Sequence, residues 1–257
     1  MPTDALRPVL ARDGIFNTRD LGGTPAAGGR VVRSHAVVRA DALHRCGPAS
    51  AQGLWDHGVR TVMDLRDDSE RDHEGVFDAA GTTVVHLPVL DPAYTWDHDD
   101  IAPRDLLPHR YAEILASFAP RFCAGLEHLA GADGALAYHC AVGKDRTGLL
   151  TALLLGALGS PREAIIADYA RSARAGAVQV GWLFWFGSPA GHVTDTDLAE
   201  GIWSARPEVM AATLDLLRTE HGGVTGYLRD AGLDDAVVDA LRARLLVEPD
   251  GRGRAAG

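Results

Sequence analysis

Residues 135–155 pass from one apolar stretch, Ala135-Leu136-Ala137-Tyr138, through a polar turn, His139-Cys140-Ala141-Val142-Gly143-Lys144-Asp145-Arg146-Thr147-Gly148, into a second, Leu149-Leu150-Thr151-Ala152-Leu153-Leu154-Leu155. A short apolar run, a tight turn and a longer apolar run predict strand, loop and buried helix in that order. Gly143 lets the turn close. The backbone N–H groups from Ala141 through Val142, Gly143, Lys144 and Asp145 to Arg146 then curl around one point at the positive end of the helix, a geometry that holds a tetrahedral dianion.

The same field that attracts phosphate is expected to lower the pKa of a cysteine at the loop's start, so that Cys140 departs from the free value of about 8.5 and acts as a thiolate nucleophile. Five residues on, Arg146 returns to the anion with a planar fork that fits two phosphate oxygens, for binding and for stabilising transition-state charge. Thr147 places a hydroxyl where it can hydrogen-bond the sulfur and make it a better leaving group when a cysteinyl-phosphate is hydrolysed. His139 is expected to orient the loop and help hold the anionic sulfur. Lys144 is the only lysine in the chain. It offers a point charge for a second phosphate or an acidic head group.

Taken together, Cys-x5-Arg-Thr-Gly resembles the signature of the cysteine-dependent protein tyrosine phosphatase superfamily, and HCAVGKDRTG is similar to the loop of its bacterial branch. Members of that branch act on phosphotyrosine, sometimes on phosphoserine or phosphothreonine, and on phosphoinositides. Other stretches carry the same resemblance. Asn17-Thr18-Arg19-Asp20-Leu21-Gly22-Gly23 is similar to an N-F-R-D-L-G-G segment, and Val38-Arg39-Ala40-Asp41-Ala42-Leu43 to Y-R-S-x-x-L. Residues 58–66 resemble the strand G-[IV]-x-T-V-x-D-L-R, and residues 222–228 a C-terminal helical ending. Thr18 stands where the family has an aromatic and Ala40 where it has a serine, two changes expected to alter the wall of the pocket. Rhodanese-like and arsenate-reducing proteins also set a cysteine in an anion loop, but the Arg-Thr-Gly continuation favours a phosphatase.

The resemblance also bears on the general acid. In many relatives an aspartate on a separate mobile loop protonates the leaving oxygen, and Asp91 opens a candidate segment that runs through the acidic cluster at residues 97–100. In the branch resembled here an aspartate inside the anion loop is assigned the role, which implies Asp145 in preference to Asp91. Related loops with a lysine at the place of Lys144 accept phosphoinositides or doubly anionic substrates. The resemblance thus implies a phosphomonoesterase that needs no cofactor or metal. Its substrate would be a phosphotyrosine protein, a phosphoinositide or a small-molecule phosphate ester. The alternatives are a dedicated sugar, nucleoside or inositol phosphate phosphatase, and a phosphate-binding module without turnover.

Composition narrows the setting. With 25 basic against 35 acidic residues in 257, and a formal charge of −10, the chain lacks the field for nucleic acid or an anionic bilayer, so anion binding must be local. Three cysteines, Cys46, Cys123 and Cys140, show no paired spacing of a disulfide framework or zinc site. No signal peptide or membrane-spanning run is read at the N-terminus, which gives a cytoplasmic expectation with export by another route left open. Oligomeric state is not legible.

Strands are expected at residues 31–38, 60–65, 82–87 and 135–139. Helices are expected at 49–57, 111–129 (bent by Pro120), 207–217 and 234–246, with another opening at Ser160-Pro161-Arg162-Glu163, Ser160 as cap and Glu163 closing a capping box. Alternating strands and helices predict an α/β fold, a mostly parallel central sheet flanked by helices, in one phosphatase-like domain over 1–257 with a C-terminal helical or lid region. Residues 173–206 form the expected lid or specificity insert, in which Trp182, Phe184, Trp185 and Phe186, set between glycines, make a lid over the phosphate site, a patch that meets lipid or a partner, or a core segment packed on the C-terminal helices; Arg171, Arg174 and His192 are further candidate anion contacts. Residues 248–257 read as a frayed tail.

Overall fold

The period-two pattern of β6 (Ala135–Cys140) organises the molecule. Leu136, Tyr138 and Cys140 join one hydrophobic cluster, while Ala135 and Ala137 join another on the opposite face. A strand buried on both faces sits in the middle of a parallel sheet. In the computed structural model, which describes residues 6–91, 101, 105–173 and 205–249, β6 lies between β3 (Val37–Asp41) and β4 (Val59–Asp64), parallel to both. Outside them run β5 (Thr83–His86), parallel, and β1 (Arg19–Asp20), antiparallel, giving the order β1-β3-β6-β4-β5. Register aligns Asp41 with Cys140 and Asp64 with His139, so three strands end together at one edge. Ligands of open α/β sheets bind at this carboxyl edge.

Helices cover both faces, as the sequence predicts. On one side α1 (Arg7–Leu10) and α2 (Pro48–His57) contribute Leu10 and Leu54 to the smaller cluster. On the other, the larger cluster is built by α4 (Leu106–Gly131), α5 (Asp145–Ala157), α6 (Arg162–Ala170), α7 (Pro207–His221), α8 (Val224–Asp230) and α9 (Asp235–Leu245). Helix α5 buries ten of its residues, Leu149, Leu150 and Leu153 to Leu155 among them, and carries almost no polar face.

Several expectations shift. The strand at 31–38 divides into β2 (Val31–Val32) and β3, because the chain turns at His35, which has φ of 59°. β2 pairs antiparallel with β7 (Leu246–Val247), so the last helix stops at Leu245 where the backbone enters a strand. Helix α4 starts earlier than expected and is broken at Phe118 (φ −122°, ψ 21°), two residues before Pro120, whose missing N–H and bulky ring disturb the preceding turn. The capping box at Ser160 does not form: Pro161 is the N-cap of α6 and the Ser160 hydroxyl is buried without a partner. A capping box does occur on a helix that hydrophobic periodicity misses, α3 (Asp68–Glu74), where Asp67 accepts from the Glu70 N–H and Glu70 accepts from the Asp67 N–H. The aromatic segment, Arg174 and His192 lie outside the described residues, as does most of the expected tail. No helix among the described residues is long and apolar enough to cross a membrane.

Candidate active site

The loop between β6 and α5 is four residues long, and its shape is imposed from outside. Gly143 has φ of 67°, and a Cβ there would lie 2.6 Å from the Ala40 carbonyl oxygen, so β3 and the loop approach as closely as backbone allows. The Asn17 side-chain amide donates to the Val142 and Gly143 carbonyls (3.1 and 2.9 Å), and Arg39 Nη2 donates to the Gly143 carbonyl (2.6 Å). With these carbonyls tied to Asn17 and Arg39, the Gly143 N–H turns to the Cys140 sulfur. Asn17 is fixed in turn: its N–H donates to Asp41 Oδ1 (2.8 Å) and its side-chain oxygen accepts from Arg19 Nη1 (2.7 Å).

Arg19 and Arg39 converge on one carboxylate, Asp168 of α6, at 2.6 and 2.5 Å. Burial alone would raise the Asp168 pKa, but the Arg39 and Arg19 charges overcome it and bring the carboxyl down to about 2. Two guanidinium groups thus share one carboxylate beneath the loop.

Cys140 is buried at the end of β6, and its Sγ accepts from the Gly143 N–H and from Thr147 Oγ1, each at 3.2 Å. Behind Thr147, its carbonyl accepts from Thr151 Oγ1 (2.7 Å), which also bonds the Tyr138 hydroxyl (2.7 Å). His139 is fully buried on the other face, with Nδ1 at the Cys140 carbonyl (3.3 Å) and Nε2 at 3.7 Å from Asp64 Oδ1. Burial pushes its imidazole down to about 4, with the Asp64 carboxylate opposing and Arg66 assisting, so the ring is neutral. Among the described residues the hydrogen bonds to Sγ come from Gly143 and Thr147; His139 acts on the loop through the backbone.

Arg146 turns toward α3, where Nη1 and Nη2 bond both oxygens of Glu70. Burial opposes its charge, but the Glu70 hydrogen bonds, with the nearby Cys140 sulfur, raise its pKa. Of the five N–H groups on a guanidinium, Glu70 engages two, which leaves Nε–H and one on each Nη for an oxyanion. Lys144 is buried and its Nζ lies 3.3 Å from Asp145 Oδ1, so a second anionic group on a substrate would compete with Asp145 for it. The Tyr111 hydroxyl of α4 donates to the same Oδ1 at 2.6 Å. Burial pushes the Asp145 carboxyl up, but Lys144, the Tyr111 hydrogen bond and Arg110 outweigh it and hold the group below its ordinary value. Asp91 is half-exposed, 3.7 Å from Arg121 Nη2. Arg171 lies on the surface at the end of α6.

Thr18 and Ala40 do not form an open wall. Both are buried, Ala40 in the cluster on the face of β3 turned away from Cys140. Ala40 meets the loop through its carbonyl instead. Sequence reading singles out every residue of the loop but misses Glu70, Tyr111 and Asp168. Asp67 and Glu70 carry a capping-box spacing that marks a helix start, yet nothing local announces that Glu70 meets Arg146.

A parallel sheet that delivers a cysteine into a short loop whose Gly143 N–H and Thr147 hydroxyl meet its sulfur, with an arginine at the following helix's start, fits a thiol-dependent handler of oxyanions. The sequence matches the tyrosine phosphatase family over residues 10–247, and the chain belongs to that family. A Cupriavidus necator protein that carries the name of a tyrosine-protein phosphatase is 31% identical over 88% of this chain and 84% of its own length. The triple specificity protein phosphatase PtpB of Mycobacterium tuberculosis is 29% identical over 91% of this chain and 97% of its own. Among solved structures, that of P. aeruginosa TpbA aligns with 17% identity and a TM-score of 0.32, covering 86% of this chain and 94% of that one. The protein is a cysteine-dependent phosphatase, a phosphoric monoester hydrolase, which sets aside the phosphate-binding module without turnover.

Proposed function

We propose that Cys140 is the nucleophile of a protein phosphatase acting on phosphotyrosine, with room for phosphoserine, phosphothreonine and phosphoinositides. The observation that carries the assignment is the pair of donors on Sγ, the Gly143 N–H and the Thr147 hydroxyl, at the mouth of a loop whose carbonyls are tied to Asn17 and Arg39. Arg146 and the amides of Ala141, Val142, Gly143 and Lys144 bind the phosphoryl oxygens, and Glu70 holds the guanidinium in plane. The sulfur forms a bond to phosphorus as the P–O bond breaks, and Asp145 gives its proton to the departing oxygen. Water then attacks the cysteinyl-phosphate, Asp145 takes up a proton, and the Thr147 hydroxyl stabilises the sulfur as it leaves.

Burial pushes the Asp145 carboxyl up, but Lys144 and the Tyr111 hydrogen bond outweigh it and hold the group below its ordinary value. A bound dianion acts in the opposite direction and raises its proton affinity, so substrate charges the acid it needs. Asp91 pairs with Arg121, its Oδ2 3.7 Å from Nη2. The triple specificity in the name of the mycobacterial relative supports a substrate range wider than phosphotyrosine.

The test is phosphate release, with chelator present, from phosphotyrosine peptide, phosphoserine peptide, phosphoinositide, and sugar and nucleoside phosphates. Turnover of the phosphotyrosine peptide that disappears in Cys140→Ser is the expected result. Turnover confined to a sugar or nucleoside phosphate would replace the protein substrate with a metabolic one, and Cys140→Ser retaining wild-type turnover would remove Cys140 from the mechanism.

A further inference from the structure

Two phenols stand behind Asp145, brought from helices on either side of α5. Tyr111 of α4 and Tyr169 of α6 are both buried, their hydroxyls 2.8 Å apart and their rings edge to face at 6.1 Å and 90°. Tyr169 is pressed against α5: a Cβ added at Gly148 would lie 3.1 Å from its ring. An ionised carboxylate only accepts, so the proton of the Tyr111 hydroxyl goes to Asp145 Oδ1, at 2.6 Å. Tyr111 then has only lone pairs to offer, and Tyr169 must donate to it. The chain therefore has one polarity, Tyr169 to Tyr111 to Asp145.

Which carboxylate oxygen is engaged matters for the chemistry. Among the described residues, the contacts of Tyr111 and of Lys144 Nζ both fall on Oδ1. Oδ2 is thereby left as the oxygen that can carry a proton without breaking the contacts that hold the side chain. We propose that Tyr111, supported by Tyr169, is a positioning residue for the reaction: it locks Oδ1 of Asp145, presents Oδ2 to the leaving oxygen, and sets the pH at which the acid discharges. This rests on the reading of Asp145 as the general acid. The groups facing that carboxyl are Lys144 and Arg146 from its own segment, Arg110 and Tyr111 from α4, and Tyr169 from α6 behind Tyr111. Of these only the tyrosines act by neutral hydrogen bonds, so replacing either changes no formal charge.

The sign follows from the donor. A hydrogen bond to the ionised carboxyl favours the ionised form, so removing it lets Asp145 keep its proton to higher pH. In Tyr111→Phe the basic limb of the single-turnover rate should move to higher pH. Loss of orientation should show where protonation of the leaving group matters most: kcat/KM is expected to fall at least ~10-fold for a phosphoserine peptide, whose alkoxide is a poor leaving group, but less than ~3-fold for p-nitrophenyl phosphate. Tyr169→Phe should shift both readouts in the same direction by less. It serves as the second test if Tyr111→Phe folds poorly. An equal loss on both substrates with an unmoved limb would mean that the tyrosines only pack, and would overturn the proposal. Asp145→Asn separates the two levels. If it turns over the phosphoserine peptide at the wild-type rate, the general-acid reading fails and the proposal with it; if it is impaired while both tyrosine variants behave as wild type, only the positioning role fails.

Discussion

At the scale of single residues, the site is a set of charges that are never left alone. Arg146 rests on Glu70, Lys144 on Asp145, and Arg19 and Arg39 on Asp168. Each partner fixes a cation without exhausting it, which is how a planar fork can be held rigid and still meet a phosphoryl group. Lysine in place of Arg146 offers a single ammonium that cannot span both Glu70 oxygens and two phosphate oxygens together. For Arg146→Lys the expected result is a fall in kcat/KM of ~10²–10³-fold, most of it in kcat because the lost contacts follow developing charge. Steady-state kinetics on p-nitrophenyl phosphate would check it; a change confined to KM would show that the guanidinium only binds. Glu70→Gln should produce a milder loss in the same direction, since the amide keeps one acceptor for the fork but gives up the charge.

At the scale of elements, what was legible in the sequence was what is local. Strand β6, the loop and α5 are contiguous, and their apolar runs and Gly143 name them directly. Glu70, Tyr111 and Asp168 escaped because their partners lie 76, 34 and 129 to 149 residues away, and no spacing rule reaches that far. Helix α3 escaped because a short polar helix has no apolar face to reveal it, and the Ser160 box failed because Pro161 takes the N-cap position. The loop's geometry can be probed at Gly143. Alanine there adds a Cβ 2.6 Å from the Ala40 carbonyl at a φ of 67°, so either β3 or the loop must move. Backbone strain of this kind costs roughly 1–3 kcal/mol. Gly143→Ala is expected to lose activity by at least ~100-fold while thermal unfolding falls by only a few degrees, because the groups it misplaces are the amides proposed to bind the phosphoryl oxygens and not core side chains. Activity within threefold of wild type would mean that the loop's amides do not hold the phosphoryl group in this conformation.

At the scale of the whole molecule, one buried carboxylate joins distant parts of the chain. Asp168 ties α6 to β1 through Arg19 and to β3 through Arg39, and Arg39 continues to the loop at Gly143. Folding and site assembly thus share this cluster of contacts. The folded pKa of Asp168 is depressed from 3.8 to about 2. Its contribution to stability is therefore complete above the unfolded value and is lost as pH falls through the folded one, an amount of about 2 kcal/mol. Asp168→Asn removes that charge and leaves two guanidinium groups buried together, which should cost several kcal/mol at neutral pH. The variant should also lose part of the pH dependence: urea unfolding of the wild type should weaken between pH 4 and pH 2, and the variant's curve should be flatter over that window. Because the loop hangs on the same contact, phosphate affinity at pH 7 should fall together with stability. A variant with wild-type acid sensitivity would assign that sensitivity to other carboxyls, of which Asp64 and Asp145 are also held below their ordinary values by neighbouring cations.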